Sequence, residues 1–258
     1  MLEGSQDSNL APIKNKNVTC KMQNTMSKKR IYFCSGNTGK YDHLLLNTQH
    51  IDSIEIIQKH DLDIVEPQLN TIEEIALHKA KVAFEKLKEP VIVQDSGLVI
   101  KSLHDFPGPY TKYVSQTIGC RGILKLLVGH TDRSCGFYGC LVFIDKDGKT
   151  NIFKEGNKEK YWGKIVHDSK IQNILDDSLD ENTDTDLSDK PCLGRLASSW
   201  SCSNPNNNFW TIFVPLDIQS LSSNEKTLAQ LSEDEMISYR KSRKSSFKEF
   251  AKWLDNNI

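Results

Sequence analysis

An apolar run, Ile31-Tyr32-Phe33-Cys34, breaks off at Ser35-Gly36-Asn37-Thr38-Gly39-Lys40 and gives way to sequence with helical spacing, in which Tyr41, Leu44, Leu45 and Leu46 fall on or near one inner face. A short apolar run closed by Ser-Gly-Asn reads as a buried strand entering a tight loop. A strand that feeds a helix in this way points to an α/β layer arrangement. The pattern recurs. Ile51 to Ile57 reads as a second strand, and Thr71-Ile72-Glu73-Glu74 fits a capping box, in which Thr71 and Glu74 satisfy each other's orphan amides at a helix start. That helix is predicted to run to about Leu87 and to stop before Pro90. Val91-Ile92-Val93 is a buried strand aimed at Gln94-Asp95-Ser96-Gly97, and Leu98-Val99-Ile100 resumes as extended chain. Beyond the rigid turn Phe106-Pro107-Gly108-Pro109-Tyr110, a helix is expected over about 118–128. A hairpin from Gly136 to Phe153 turns at Asp147-Gly148, Trp210 to Val214 forms a strand, and 233–254 a last helix. Strands interleaved with helices, plus a hairpin, predict an α/β domain with a mixed β-sheet flanked by helices. Residues 1–28 lack a hydrophobic period and read as a flexible tail. The domain is expected over 29–258, with an insertion at about 170–208 that is acidic and then Ser- and Asn-rich.

Composition narrows the function classes. A net charge of -1 gives no support for a nucleic-acid binder, which would show a basic excess. No stretch reaches the roughly 18–20 apolar residues of a membrane span, and the polar N-terminal segment has no signal-peptide core. The 7 cysteines are odd in number and none shows C-x-x-C spacing. They read as buried reduced thiols of a cytoplasmic protein, with Cys135 and Cys140 on opposite faces of one strand.

Three segments could carry chemistry. In Ser35 to Lys40 the glycines let backbone approach a ligand, amides at a helix start attract phosphate oxygens, and Lys40 adds a cation. It is not a Walker A loop, because Cys34 and Tyr41 stand where that motif needs Gly and Ser or Thr. Asp95, next to Ser96, is placed at the end of an apolar strand, where α/β sheets gather ligands and where a carboxylate can hold a hard cation. Glu66 precedes the helix carrying Glu73, Glu74 and Lys79, and could bring a second carboxylate beside Asp95. Lys79 shares the inward-leaning face of Ile75. Glu73 and Glu74 also suit a helix N-terminus as bare charges.

In order along the chain, Ser35 to Lys40, Glu66-Pro67-Gln68, Thr71 to Ala80, Asp95-Ser96-Gly97-Leu98 and Phe106 to Tyr110 resemble the inosine triphosphate pyrophosphatase family, from Arg30 to about Val166. The resemblance implies two lobes around a deep nucleotide cleft, and hydrolysis of ITP, dITP and XTP to monophosphate and pyrophosphate. It implies that Ser35, Gly36, Asn37, Thr38, Gly39, Lys40, Lys79 and Ser96 bind substrate. Glu66 and Asp95 would bind Mg²⁺, with Mn²⁺ as the alternative, and Asp95 or Glu74 would act as the base. A homodimer is implied as well. Phe209 falls on the aromatic that stacks on the purine, and Arg240 on the basic C-terminal signature. Two departures stand out. Trp210 replaces the family's Asp after that aromatic, and Asn208 replaces its glycine. Ser238-Tyr239-Arg240 matches the family's Ser-His-Arg only if two residues are deleted. These departures leave open a nucleotide-binding protein of the same fold with weak or no catalysis, or a pyrophosphatase with altered base preference.

Overall fold

Strand β1 (Lys29–Cys34) lies between two parallel neighbours, β2 (Ile54–Lys59) on one side and β3 (Val91–Ile100) on the other. The structure, a computed structural model, describes residues 28–155, 161–166, 208–216 and 226–257. The chain leaves β1 through α1 (Thr38–Thr48) to reach β2, then crosses back through α2 (Ile72–Leu87) to reach β3. Connections running in opposite directions from one strand create a crevice outside its carboxyl end, where open α/β sheets bind ligands. The crevice is deepened by unequal lengths. β1 pairs with β3 only at Tyr32 and Phe33, opposite Val91 and Ile92, while β3 continues to Ile100.

Beyond β3 the sheet turns antiparallel. The long strand β4 (Ser134–Ile144) pairs with all of β3. Its opposite edge takes β5 (Thr150–Lys154) at one end and β6 (Gly163–Ile165) at the other, and β6 pairs with β7 (Phe213–Pro215). The sheet order is β2-β1-β3-β4-β6-β7 with β5 beside β4. Two short helices, α3 (Thr111–Thr117) and α4 (Gly119–Leu126), follow β3, and α5 (Glu233–Ser242) and α6 (Ser246–Asn257) end the described chain.

Burial on both faces explains the near-continuous apolar reading of β3 and β4. On one face Phe33, Ile92 and Phe143 pack with Leu44 of α1 and Phe247, Phe250 and Leu254 of α6. On the other, Val91, Val93 and Val142 pack against Ile72, Ala76, Ala80 and Ala83 of α2, whose small residues let helix and sheet approach closely. A third cluster joins the far halves of β3 and β4 to α4, β6, β7 and α5. Full burial of a side chain such as Phe33 or Phe250 stabilises the fold by about 1.5–3 kcal/mol. Cys135 belongs to the third cluster and Cys140 to the α2 face, so the two thiols do point to opposite sides.

The capping box holds as predicted: Thr71 Oγ1 accepts from the Glu74 amide and Glu74 Oε2 accepts from the Thr71 amide. Other expectations shift. β2 starts three residues later than expected, at Ile54, and Leu45 is partly exposed while Leu44 is fully buried. The helix expected over 118–128 is α4, set apart from α3 by the positive φ of 58° at Gly119. Trp210 lies in a single 3₁₀ turn (Phe209–Thr211), leaving a three-residue strand, because the Asn208 side chain caps the turn by accepting from the Trp210 amide. The last helix is two helices: Arg243 is extended, and Ser245 Oγ accepts from the Lys248 amide to start α6. Asp95 lies inside β3, not at a strand end, since pairing with β4 carries the ladder through it. The expected tail, apart from Lys28, and the expected insertion, apart from Asn208, lie outside the described residues.

Candidate active site

A cavity of about 480 Å³ occupies the crevice beyond β1. Its walls come from the β1–α1 loop (Ser35, Gly36, Asn37 and Lys40), the segment after β2 (Lys59 to Glu66), Lys79 of α2, Gln94 to Ser96 of β3, and the turn leading into α3. The loop is held open by its own hydrogen bonds. Ser35 Oγ accepts from the Asn37 amide, Gln58 Nε2 donates to the Ser35 carbonyl, and Asn37 Oδ1 caps α1 by accepting from the Lys40 amide. The amide nitrogen of the Asn37 side chain takes no part in these bonds. The first turn of α1 carries no acidic residue, so its amides keep their positive field toward the cavity.

Lys40 reaches across the gap left where β1 ends, and its ammonium donates to the Gln94 carbonyl at 3.2 Å. Burial pushes its pKa down, opposed by the Asp95 carboxylate and reinforced by the Lys79 ammonium. Lys79 stands between the two predicted metal-binding carboxylates, 3.2 Å from Glu66 Oε2 and 3.8 Å from Asp95 Oδ1. Those two oxygens therefore share a single cation. Glu66 is placed from a distance: Lys86 Nζ donates to the carbonyls of Leu62 and Asp63 at 2.7 and 2.9 Å, tying the preceding segment to α2.

Gly97 explains why Asp95-Ser96-Gly97 and the Pro-Gly-Pro turn travel together. A Cβ at Gly97 would collide with the Gly108 carbonyl, and Thr111 Oγ1 knits the two segments, accepting from the Leu98 amide at 2.7 Å and donating to Gly108 O at 2.6 Å. Cys34 also touches the cavity, but burial pushes its thiol up to about 12, which leaves it a poor nucleophile.

Of the sequence-predicted residues, Ser35, Gly36, Asn37, Lys40, Glu66, Lys79, Asp95 and Ser96 line this cavity. Glu74 does not; its carboxylate is the reciprocal half of the α2 cap, so the helix-end reading of that residue replaces the base reading. Glu73 accepts from the Tyr138 hydroxyl at 2.6 Å, likewise outside the cavity. Thr38 is exposed on the first turn of α1 and lines neither chamber. Phe209 is fully buried in the third core cluster, beyond the reach of a stacking base; the neighbouring Trp210 faces a chamber instead.

That second chamber, of about 90 Å³, adjoins the first through Lys40, Gln94 and Ser96 and is roofed by α5 and the start of α6. Arg240 and Gly39 line it, together with three polar groups that sequence reading passed over, His43, Gln94 and Glu155. Glu155 is buried, pairs with Arg243 Nη2 at 2.8 Å and accepts from Ser246 Oγ at 3.3 Å, while the Arg243 guanidinium lies 4.2 Å from the centre of the Trp162 ring. A charged residue closing the β4–β5 hairpin was the available signal for Glu155. His43 carried none, lying in an ordinary helical stretch.

Residues 31–175 match the model of the Ham1 family. A dITP/XTP pyrophosphatase of Methanopyrus kandleri is 42% identical over 124 residues, covering 48% of this chain and 65% of the relative. One of Saccharolobus solfataricus is 48% identical over 81 residues, covering 31% and 42%, and one of Methanosarcina acetivorans is 34% identical over 143 residues, covering 55% and 73%. The chain thus aligns with less than two thirds of the length of the first two. Among solved structures, a HAM1 protein from Coxiella burnetii superposes with a TM-score of 0.60 at 17% identity, over 88% of this chain and 99% of that one. The Staphylococcus aureus Ham1 protein does so with 0.57 at 22%, over 89% and 100%. At these identities the likeness speaks for the fold.

Proposed function

The chain belongs to the Ham1 family, and from that premise we propose that it is a nucleoside triphosphate pyrophosphatase, hydrolysing the deaminated purine nucleotides ITP, dITP and XTP to monophosphate and pyrophosphate. The observation that carries this reading is the meeting of Glu66 and Asp95 on Lys79, with Lys40 beside them, in the crevice where β1 stops and β3 runs on. The base class is supported by the relatives named dITP/XTP pyrophosphatase.

A polyphosphate is suited by this cavity because its charge meets two lysines and the amide end of α1, all fixed before the ligand arrives. The carboxylates fit a small hard cation. They supply only oxygen, the donor that an ion of this kind takes from one or two carboxylates while it keeps waters and binds phosphate oxygens. Glu66 and Asp95 would hold Mg²⁺, or Mn²⁺; when bound, it supplies charge neutralisation and polarisation of phosphate oxygen. Asp95 accepts the proton of a water whose oxygen forms a bond to the α-phosphorus, while the bond to the bridging oxygen breaks and pyrophosphate departs. Lys40 and Lys79 neutralise the charge that grows on the leaving group.

A homodimer and a cytoplasmic setting complete the proposal. The second is supported by the four described cysteines, all buried and unbridged; among the described residues no helix is long and apolar enough to cross a membrane. A second reading, the same reaction with altered base preference, is favoured by the burial of Phe209 in the core. Pyrophosphate release from ITP, dITP, XTP, ATP, dUTP and UTP, with and without Mg²⁺, tests both. Turnover confined to the deaminated purines supports the first, a pyrimidine preference the second, and no turnover of any triphosphate overturns the enzyme.

A further inference from the structure

Between β2 and α2 the chain runs from Leu62 to Asn70 without regular secondary structure and delivers Glu66 to the larger cavity. No sheet ladder fixes this strap. Among the described residues, the hydrogen bonds that tie it to the rest of the molecule all come from α2. Lys79 donates to Glu66 Oε2 at 3.2 Å, and Lys86 donates to the carbonyls of Leu62 and Asp63 at 2.7 and 2.9 Å. Leu62 and Ile64 also lean on the apolar cluster of the α2 face. Apolar contact is non-directional, so it presses the strap down without fixing where along the helix it lies.

Lys79 and Lys86 stand two helical turns apart on one face of α2 and differ in what they hold. Lys79 holds the Glu66 carboxylate itself, for which a divalent cation competes. Lys86 holds backbone carbonyls just ahead of Glu66, and these lie outside that competition. The turn between them is unusual. Asp63 has a φ of 43°, and two successive carbonyls reach one ammonium there. A residue other than glycine keeps such a conformation where its surroundings hold it.

We infer that Lys86 is a positioning residue for the divalent cation: by pinning the Leu62 and Asp63 carbonyls it sets where the strap lies and keeps Glu66 beside Asp95. The inference rests on the reading of Glu66 and Asp95 as cation-binding groups, but not on turnover. When a cation draws Glu66 from Lys79, Lys86 is the directional anchor that persists. Without it, binding must meet the entropic cost of ordering the strap. The sign of the effect sets this role apart from bare charge. A lysine near a cation site repels the cation, so its loss by electrostatics alone would leave binding unchanged or tighten it. Loss of an anchor weakens it. A lysine in the last turn of α2 also suits the helix dipole, but that contribution is to stability and not to cation affinity.

Titration of the full chain with Mn²⁺, followed by loss of the free-ion electron paramagnetic resonance signal, tests this. Lys86→Met is expected to weaken Mn²⁺ binding about tenfold, the low end for loss of an outer partner of a metal ligand. Lys86→Arg, which still offers donors to both carbonyls, should stay within about twofold of the unaltered protein. Lys81→Met, at an exposed lysine of the same helix, should change nothing. Lys86 is itself exposed, so its replacement leaves no buried gap, and melting curves beside metal-free tripolyphosphate binding report an intact fold and phosphate side. Unchanged or tighter Mn²⁺ binding in Lys86→Met, or an equal loss in Lys81→Met or Lys86→Arg, overturns the inference. Glu66→Gln separates that failure from failure of the site. If Glu66→Gln binds Mn²⁺ as the unaltered protein does, the cation reading falls and the inference with it. A loss in Glu66→Gln beside none in Lys86→Met overturns the positioning role alone. Absence of pyrophosphate release with the Lys86 effect intact overturns the pyrophosphatase alone.

Discussion

The two chambers of the site are built in opposite ways. The larger is assembled from short contiguous segments, Ser35 to Lys40, Lys59 to Glu66 and Gln94 to Ser96, and its charges are partly open to solvent: the Glu66 side chain is 46% exposed and that of Lys79 17%. The smaller draws on α1, β3, the end of β5, the Phe209–Thr211 turn and both C-terminal helices, and its ion pair is almost wholly buried, with Glu155 at 7% and Arg243 at 15%. Binding a polyphosphate needs cations and amides at a helix start, which local sequence can specify. A shaped, dry wall is something only distant segments packed together can make. Departures from the family pattern gather in the second kind of region, at Trp210 and around Arg240, where packing can re-form around a substitution.

The largest expected effect belongs to the phosphate side. Asp95→Asn should lower kcat for ITP by about 10²–10⁴, the range for loss of a general base, without weakening the binding of tripolyphosphate in the absence of Mg²⁺; steady-state pyrophosphate release beside a metal-free binding isotherm checks this. An equal loss of both would move Asp95 from catalysis to architecture. Next comes the buried pair. Arg243→Met strands the Glu155 charge and should cost about 3–5 kcal/mol of stability in a denaturant titration. A cost no larger than that of a surface change would break the contrast between the chambers.

A smaller effect is a pH dependence. Burial lowers the His43 pKa from its ordinary 6.5 to about 3, so between those values the unfolded chain takes up the proton first. The stability contributed by the neutral ring is present above pH 6.5 and is lost as pH falls toward 3, by roughly 2 kcal/mol on reaching about pH 5. His43→Leu should flatten this acid limb in melting curves; an unchanged limb would show that the ring does not titrate as its burial requires. The smallest effect sharpens the boundary of the site. Glu74→Ala should cost about 1 kcal/mol of stability through its cap and leave turnover within about twofold. A large fall in kcat would return Glu74 to the chemistry.

Much of the phosphate side was legible because its signals are local. Thr71 and Glu74 marked the start of α2, Pro90 its end, and Asp147-Gly148 the β4–β5 turn; Ser35, Gly36, Asn37, Lys40, Glu66, Lys79, Asp95 and Ser96 reach one cavity, whereas Thr38 and Gly39 do not. The misreadings have physical causes of another kind. Apolar periodicity does not register that Gly119 takes a positive φ, or that Arg243 turns extended and Ser245 caps a new helix. Glu74 satisfied two patterns, and the nearer partner, its own helix end, prevailed. Phe209 could be aligned with a stacking aromatic, but its neighbours Ile123, Phe213 and Leu228 belong to one buried cluster that alignment cannot see.

By itself the sequence determined the order of strands and helices, the caps and turns that divide them, and the lysines and carboxylates offered to a polyphosphate, because each depends on residues a few positions apart. Only the tertiary structure decided that β3 outruns β1 to open the crevice, that Gly97 must lack a Cβ to seat the Gly108 turn, and that Gln94, His43 and Arg240 share a chamber. Such facts depend on which distant segments are in contact, and contact across a packed core is a property of the whole chain.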